Sequence, residues 1–447
     1  MNFKYLLQNR LYKSLKFFIF VFLFLFTCIP VRSGCPCSGL AGGSYLRVSQ
    51  LGFGWLVPDE QVDADYNPAM LNNIDGKRLF LAFSTEYRDF SKNTYDFFGV
   101  NTFLEMPFDK LKLAMRYKTL LTDEFGREAV ESANINHNTI TDDYEFKLFI
   151  SYPVKYNIKV GFSGSITTYD YYFSQESDLN YFDSFQKIYS QNYQIKAGIL
   201  FDINEFWGIG GSLETTFGEK KYIKSSLLKL ADDNLSFALF IHPEFRVFKH
   251  DRNIIIRSFL SFYYDSVITK LRDLFLWLDE DESYYNLNAE MGVGLYYELQ
   301  DKTAITCGIK YNQIFINKNK IYIVNKIDTI QYDGFDISVF VGIEKPVFVD
   351  WVLIRAGYNI FTIKSFNYSS YREEGSFLVW KNFWNEKELL FMPELNNNIT
   401  LGATVRFGEN ILFNVNFGKY FFYLSSYENK VRSLKTGFDV ELNFIFE

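Results

Sequence analysis

Residues 435–447 (KTGFDVELNFIFE) alternate. Phe438, Val440, Leu442, Phe444 and Phe446 fall on one side of an extended chain, and Asp439, Glu441 and Asn443 on the other. A period of two predicts a strand, because successive side chains point to opposite faces. The pattern recurs at 397–407, where Ile399, Leu401, Ala403, Val405 and Phe407 oppose Thr400, Gly402, Thr404 and Arg406. It recurs at 284–299, where Leu287, Met291, Val293 and Leu295 oppose Asn288, Glu290, Gly292, Gly294 and Glu298, and at 206–217, where Trp207, Ile209 and Leu213 oppose Gly208, Gly210 and Glu214. Followed along the chain, it predicts sixteen strands between 79–88 and 435–446.

The connections sharpen this picture. Short ones fall at 107–110, 154–156, 203–205, 249–252, 300–302, 346–350 and 408–409. Longer ones, at 119–143, 170–188, 218–233, 266–283, 316–332, 361–396 and 419–434, alternate with them, and 89–94 opens the series. Tight turns at one end and long loops at the other are the topology of bacterial outer-membrane barrels, in which lipid meets the apolar face and the lumen the polar one. The expectation is an all-β fold, an antiparallel transmembrane β-barrel in the outer membrane, with both termini at the short-turn end. Outer-membrane lipid is then a partner of the whole apolar face. Trp207 and Trp351 open strands beside short turns, where an aromatic girdle belongs.

Composition supports the same class. Of the residues 19% are aromatic, with 49 Phe and 32 Tyr, and aromatics favour pleated, half-buried surfaces. The 53 acidic residues against 46 Lys and Arg give a mild net charge of −7 without a long basic run, which argues against nucleic acid as a partner. Mean hydropathy is −0.09, against a multi-helix membrane protein.

The N-terminus divides from the rest. Residues 1–33 read as a signal peptide: Lys4, Arg10, Lys13 and Lys16 precede the apolar run 17–29 and Pro30. A single membrane-anchoring helix is the alternative for the same stretch. Lipidation at Cys35 is another, although Arg32-Ser33-Gly34-Cys35 lacks the aliphatic residue expected at the start of a lipobox. Residues 34–78 are Gly-rich, carry three of the nine prolines, show no sustained alternation and are too short to bury a core alone. They are expected to pack against or inside the barrel of residues 79–447.

Here Tyr66-Asn67-Pro68-Ala69-Met70-Leu71 resembles the N-P-A-x-L signature that precedes the first strand in FadL-like and PorV-like outer-membrane barrels. Proline fixes the backbone and pushes Asn67 toward extended geometry, from which its side chain can start a turn. The FadL-like resemblance implies fourteen strands rather than sixteen and passive uptake of small hydrophobic molecules. It also implies an N-terminal hatch carrying Asn67, Pro68 and Ala69, and a lateral opening in the wall. The PorV-like resemblance implies instead a non-transporting barrel that serves envelope proteins as an assembly or secretion partner. A polar diffusion porin is a third reading.

Candidate chemistry follows from the faces. Glu214, Glu290, Glu298, Arg355, Arg406, Asp439 and Glu441 belong to the inward set, as do Lys112, Arg116, Lys147, Lys196 and Lys310. Both signs are present in near balance, which suggests cross-strand ion pairs and a wetted or plugged interior. His242, inward beside Glu244, reads as a wall histidine in a polar network. No catalytic residue, metal site or cofactor is predicted, because neither a nucleophile motif nor a phosphate-binding Gly loop is present. Trp380, Phe383 and Trp384, in the largest connection, are the candidate contacts for a hydrophobic ligand; a lid folded over the barrel mouth and an ordinary packed loop cap are the alternatives for the same cluster. The pairs Gly208/Gly210 and Gly292/Gly294 are candidates for a kink in the wall.

Overall fold

Strand follows strand from Lys77 to Phe446. The first eight are β1 (Lys77–Phe90), β2 (Asn93–Phe108), β3 (Leu111–Val130), β4 (Ala133–Lys155), β5 (Ile158–Ser177), β6 (Ser184–Asp202), β7 (Trp207–Lys224) and β8 (Leu228–Lys249). The next are β9 (Arg252–Asp273), β10 (Leu278–Leu299), β11 (Ala304–Tyr322), β12 (Lys326–Val347) and β13 (Val349–Glu374). The last are β14 (Phe377–Glu386), β15 (Ile399–Phe407), β16 (Ile411–Asn416) and β17 (Leu434–Phe446). The computed structural model describes residues 51, 54–74, 76–90, 93–108, 110–130, 133–177, 184–224, 228–249, 252–273, 278–322, 326–347, 349–374, 377–386, 399–408, 410–416 and 434–446. The expected signal peptide and Cys35 lie outside the described residues.

Each strand pairs antiparallel with its neighbour, and β17 pairs with β1 from Lys77↔Phe446 to Asp89↔Leu434, so the sheet closes on itself. Among the described residues there are seventeen strand segments. β14 and β15 run along different lengths of β13, Phe366–Glu374 and Val352–Tyr358, and share one place in the wall. The barrel therefore has sixteen positions, as the alternation predicts and against the fourteen that the family resemblance implies.

The alternation is an inside–outside code. On β7, Ile209, Leu213 and Phe217 are exposed on the outer face, whereas Ser212 is buried. On β10, Leu287, Met291 and Val293 are exposed and Tyr296 is buried. An apolar side chain left open on a closed barrel is compatible only with lipid, and the band continues through Phe162, Ile199, Ile241, Ile256, Ile309 and Ile354. Trp207 and Trp351 are exposed on that outer face beside short turns. The chain is a bacterial outer-membrane barrel.

Two expectations are corrected. The long connections are mostly strand. β3 runs to Val130 and β4 resumes at Ala133, where 119–143 reads as a loop, and β5 to β13 extend likewise. At 23 residues, β4 is about 75 Å of extended chain, far more than a band about 25 Å tall requires even when tilted. Beyond the band both faces meet water, so the apolar period vanishes while the hydrogen-bonded ladder continues. For the same reason Trp380, Phe383 and Trp384 stand on β14 rather than in a loop; their side chains lie outside the described residues.

The second correction concerns glycine. Pairing across Gly208–Gly211 and Gly292–Gly294 runs without a register shift, so neither pair marks a bulge in the wall. These positions serve another purpose, described below. At the short-turn end, the turns are capped. Asn204 Oδ1 accepts from the N–H groups of Phe206 and Trp207, both at 2.8 Å. Asp301 accepts from the Thr303 N–H at 3.0 Å and its hydroxyl at 2.9 Å, and those donors hold its carboxyl below the usual range.

Candidate functional site

Residues 51 and 54–74 lie against the inward face of the wall. A 3-10 turn (Gly54–Leu56) is followed by a short helix, α1 (Glu60–Tyr66), and a second 3-10 turn (Pro68–Asn73). Asp59 caps α1 by accepting from the Val62 N–H at 3.2 Å. The chain then turns at Asn67, which is extended (φ −142°, ψ 110°) as the following proline demands. Its Oδ1 accepts from the Ala69 N–H at 3.0 Å, capping the second turn, with Pro68 at the first position.

Helix α1 is a strut. Residues two apart on a helix point about 200° apart, so Asp63 and Asp65 reach opposite walls. Asp63 meets Arg257 on β9 through two hydrogen bonds of 2.6 and 2.7 Å. Arg257 also contacts Glu244 on β8 at 2.7 Å, donates to the Trp55 carbonyl at 3.2 Å, and lies 4.2 Å from the Trp55 ring centre. Burial pushes the Asp63 carboxyl up, to about 7, and the Arg257 guanidinium opposes that rise.

On the other side Asp65 bonds Arg116 on β3 and lies 3.4 Å from Lys147 on β4. Arg116 and Lys147 are direct cross-strand partners. Like charges placed so are repulsive, and Asp65 sits where it offsets both. Lys196 donates to the Asp65 carbonyl at 2.8 Å, and Ser212 to the Tyr66 carbonyl at 2.7 Å. Lys159 reaches Asn73 at 2.8 Å, and Lys112 reaches the carbonyls of Asn72 and Ile74. Burial pushes the Tyr66 hydroxyl up to about 12, so it stays protonated.

Between these anchors the segment is apolar. Leu51, Trp55, Leu56, Val57, Val62, Ala69 and Met70 pack with Leu200, Phe240 and Phe340 of the wall, and Tyr66 and Phe259 join them. His242 is 1% exposed, with its ring centre 4.2 Å from that of Trp55. Asn67 Nδ2 lies 2.8 Å from His242 Nε2 and donates to the Ile199 carbonyl at 2.9 Å. An amide nitrogen can only donate, so Nε2 is the unprotonated ring atom and His242 is neutral. It serves as an acceptor for the segment.

The glycines explain themselves here. A Cβ at Gly161 on β5 would overlap the backbone of Pro68 and Ala69, and one at Gly210 on β7 would overlap the His242 ring. A Cβ at Gly294 on β10 would lie 2.9 Å from Leu56 Cβ, and at Gly342 on β12, 2.5 Å from the Leu51 carbonyl oxygen. The inner wall is cut away where the segment rests.

The expected inward residues take several places. Glu214 pairs with Lys196 at 2.5 Å, and Glu290 with Lys310 at 3.4 Å. Glu298 accepts from Tyr296 at 3.3 Å. Arg355 is 2% exposed and bonds Glu344 at 2.5 Å and Asn414 at 2.9 Å, and Glu441 joins that cluster through Asn414 at 3.4 Å. Arg406 shares the inward face of β15 with Thr404, and the Asp439 side chain lies outside the described residues. Arg116, Lys112, Lys147 and Lys196, read as partners for neighbouring strands, also hold the segment. Arg257, Asp63 and Asp65 escaped the sequence reading. The available signal was a lone Arg closing Asn253-Ile254-Ile255-Ile256, charged where its surroundings are apolar.

No protein-family model and no curated protein matches the chain. Among solved structures it is similar to the toluene transporter TodX of Pseudomonas putida, at 10% identity and a TM-score of 0.43, over 91% of this chain and 98% of that one. A TodX mutant described as a monoaromatic hydrocarbon channel gives 11% and 0.45, over 90% and 99%. The ferric preacinetobactin receptor BauA of Acinetobacter baumannii gives 8% and 0.35, over 83% and 80%. The fold itself rests on the closed strand pairing described above. Among the described residues, no cluster of His, Cys, Asp and Glu could hold a metal ion.

Asn67 allows a direct check on the seat. Asn67→Ala removes the cap and both wall contacts of the amide. The expected cost to docking is about 1–3 kcal/mol, from the lost cap together with buried acceptors left unmet. Limited proteolysis of the reconstituted protein should cut within residues 51–74 faster than in the parent chain, with the barrel core unchanged.

Proposed function

We propose that the chain is an outer-membrane channel for passive uptake of small molecules, closed at rest by residues 51–74. The observation that carries this reading is the strut: Asp63 and Asp65 tie one short helix to β9 and to β3/β4, with an apolar cluster filling the space between. A segment recruited only to complete the wall has no need of anchors on opposite sides.

Two classes of solute fit different parts of the path. Small hydrophobic molecules, the class the FadL-like resemblance implies, are supported by the rings of Trp55, Tyr66, Phe240 and Phe259, which would border the passage once the segment moves. Small uncharged polar molecules are supported by the wall on the side of that cluster away from the short turns, where amides, hydroxyls and paired charges replace apolar side chains.

Proteoliposome swelling tests the reading. Vesicles carrying the mature chain should swell in isosmotic arabinose no faster than empty vesicles, and those carrying a chain without residues 34–66 should swell several-fold faster. Equal rates would refute closure by this segment.

A further inference from the structure

We propose that the inner wall of β9–β12, directly beyond the segment on the side away from the short turns, is a binding site for neutral, hydroxyl-rich solutes of sugar size. The inference rests on the channel reading only in giving this site a solute to pass on.

The site begins where the lumen opens. Glu290 and Lys310 have side chains 30% and 27% exposed, although both belong to the inward set, so the barrel is accessible at that level. Next to them Asn288 stands directly opposite Tyr263, and Asn286 is the next inward residue of β10. Their outward neighbours, Phe262, Tyr264 and Leu287, are 43%, 40% and 49% exposed to lipid, which fixes Tyr263, Asn286 and Asn288 on the lumen side. Asn312 pairs with Glu290 across β10–β11 and with Asp336 across β11–β12.

The chemistry is specific. Asn312 is 6% exposed, and its Nδ2 donates to Asp336 at 3.1 Å. The Oδ1 atoms of Asn286, Asn288 and Asn312 are buried without a hydrogen-bond partner in the protein. An acceptor left unmet costs about 1–3 kcal/mol, so a donor from outside the chain, water or a solute hydroxyl, is favoured at these three on two neighbouring strands once a side-chain rotation brings them to the lumen. Carboxamides offer donor and acceptor together, which suits vicinal hydroxyls, each of which also does both. Tyr263 adds an aromatic face for C–H groups, and Ala238 opposite it leaves that face uncrowded. Asp265 adds a negative charge beside the Glu290–Lys310 pair, and Asp336 stands opposite Lys364 across β12–β13, so the patch carries no excess positive charge to draw anions. A pure hydrocarbon would leave the amides unmet.

Saturation-transfer NMR on the full mature chain in detergent tests this, using glucose, sucrose and maltotriose as hydroxyl-rich probes and toluene as the apolar one. At least one sugar should receive saturation, and it should be displaced by a second sugar but not by toluene. The variant N286A/N288A should weaken that sugar at least tenfold, and Y263F should weaken it less, with both variants retaining heat-modifiable barrel mobility. Saturation of toluene alone would overturn the proposal, and so would sugar signals unchanged in N286A/N288A. Swelling by the intact chain would refute closure and leave the sugar site standing. A closed channel without sugar saturation would do the reverse.

Discussion

Replacing Arg257 with methionine is expected to open the barrel. The change keeps the length of the side chain and removes its charge. Asp63 and Glu244, each 5% exposed in its side chain, then lose the guanidinium that both contact. Removing one member of a buried ion pair costs about 3–5 kcal/mol, and since Glu244 keeps Arg246 the cost falls on Asp63, which must stay desolvated as a charge or take up a proton. The barrel has a way to avoid that cost: the strut leaves and Asp63 returns to water. The closed-to-open ratio should therefore fall a hundredfold or more. Single-channel recording checks this, with conducting events frequent in R257M and rare in the parent. A control separates it from charge removal in general. Lys221 and Glu219 pair at 2.7 Å, but their side chains are 54% and 49% exposed, and exposed pairs contribute about 0–1 kcal/mol. K221M should behave as the parent does.

Gly161→Ala should release the segment by a different route. The added methyl would meet the backbone of Pro68 and Ala69 rather than the tip of a flexible side chain. Neither can yield, since Pro68 is locked in φ and Ala69 is held by the Asn67 cap. Overpacking of this kind costs about 1–3 kcal/mol or more, and the strain falls on docking rather than on the strand. Heat-modifiable mobility should be retained, while protease should reach residues 51–74. At Gly164, on the same strand, the nearest atom to an added Cβ is 3.9 Å away, so G164A should leave both unchanged. Opening in both variants would point to the strand, and in neither to a seat looser than the structure has it.

What could be read beforehand follows the solvent. Within the bilayer band, lipid on one side and a wet lumen on the other force a strict period of two, so Leu287, Met291 and Val293 announced their strand. Past the band no such constraint acts. Residues 119–130 carry Thr122, Asp123 and Glu124 in succession and read as loop, although the β3–β4 ladder continues through them. The sixteen positions were legible because the short turns punctuate them.

The seat was legible only in part. Lys112, Arg116, Lys147 and Lys196 read as inward from parity, but their use on the segment depends on contacts spanning scores of residues, which no local pattern carries. Gly210 and Gly294 drew attention for the right reason, the lack of a side chain. They suggested a bend, whereas the structure uses the space to admit the His242 ring, which meets Asn67, and Leu56. Arg257 was hidden by the isoleucines before it, and Asp63 by the absence of any alternation around it.

The central claim is that residues 51–74 close the barrel, and planar-bilayer conductance tests it most directly. The mature chain and a chain lacking residues 34–66 would be inserted from detergent under the same conditions. The account predicts a silent parent and a truncated form with steady unitary currents. Equal conductance in the two would contradict it, and so would silence in both from folded barrels.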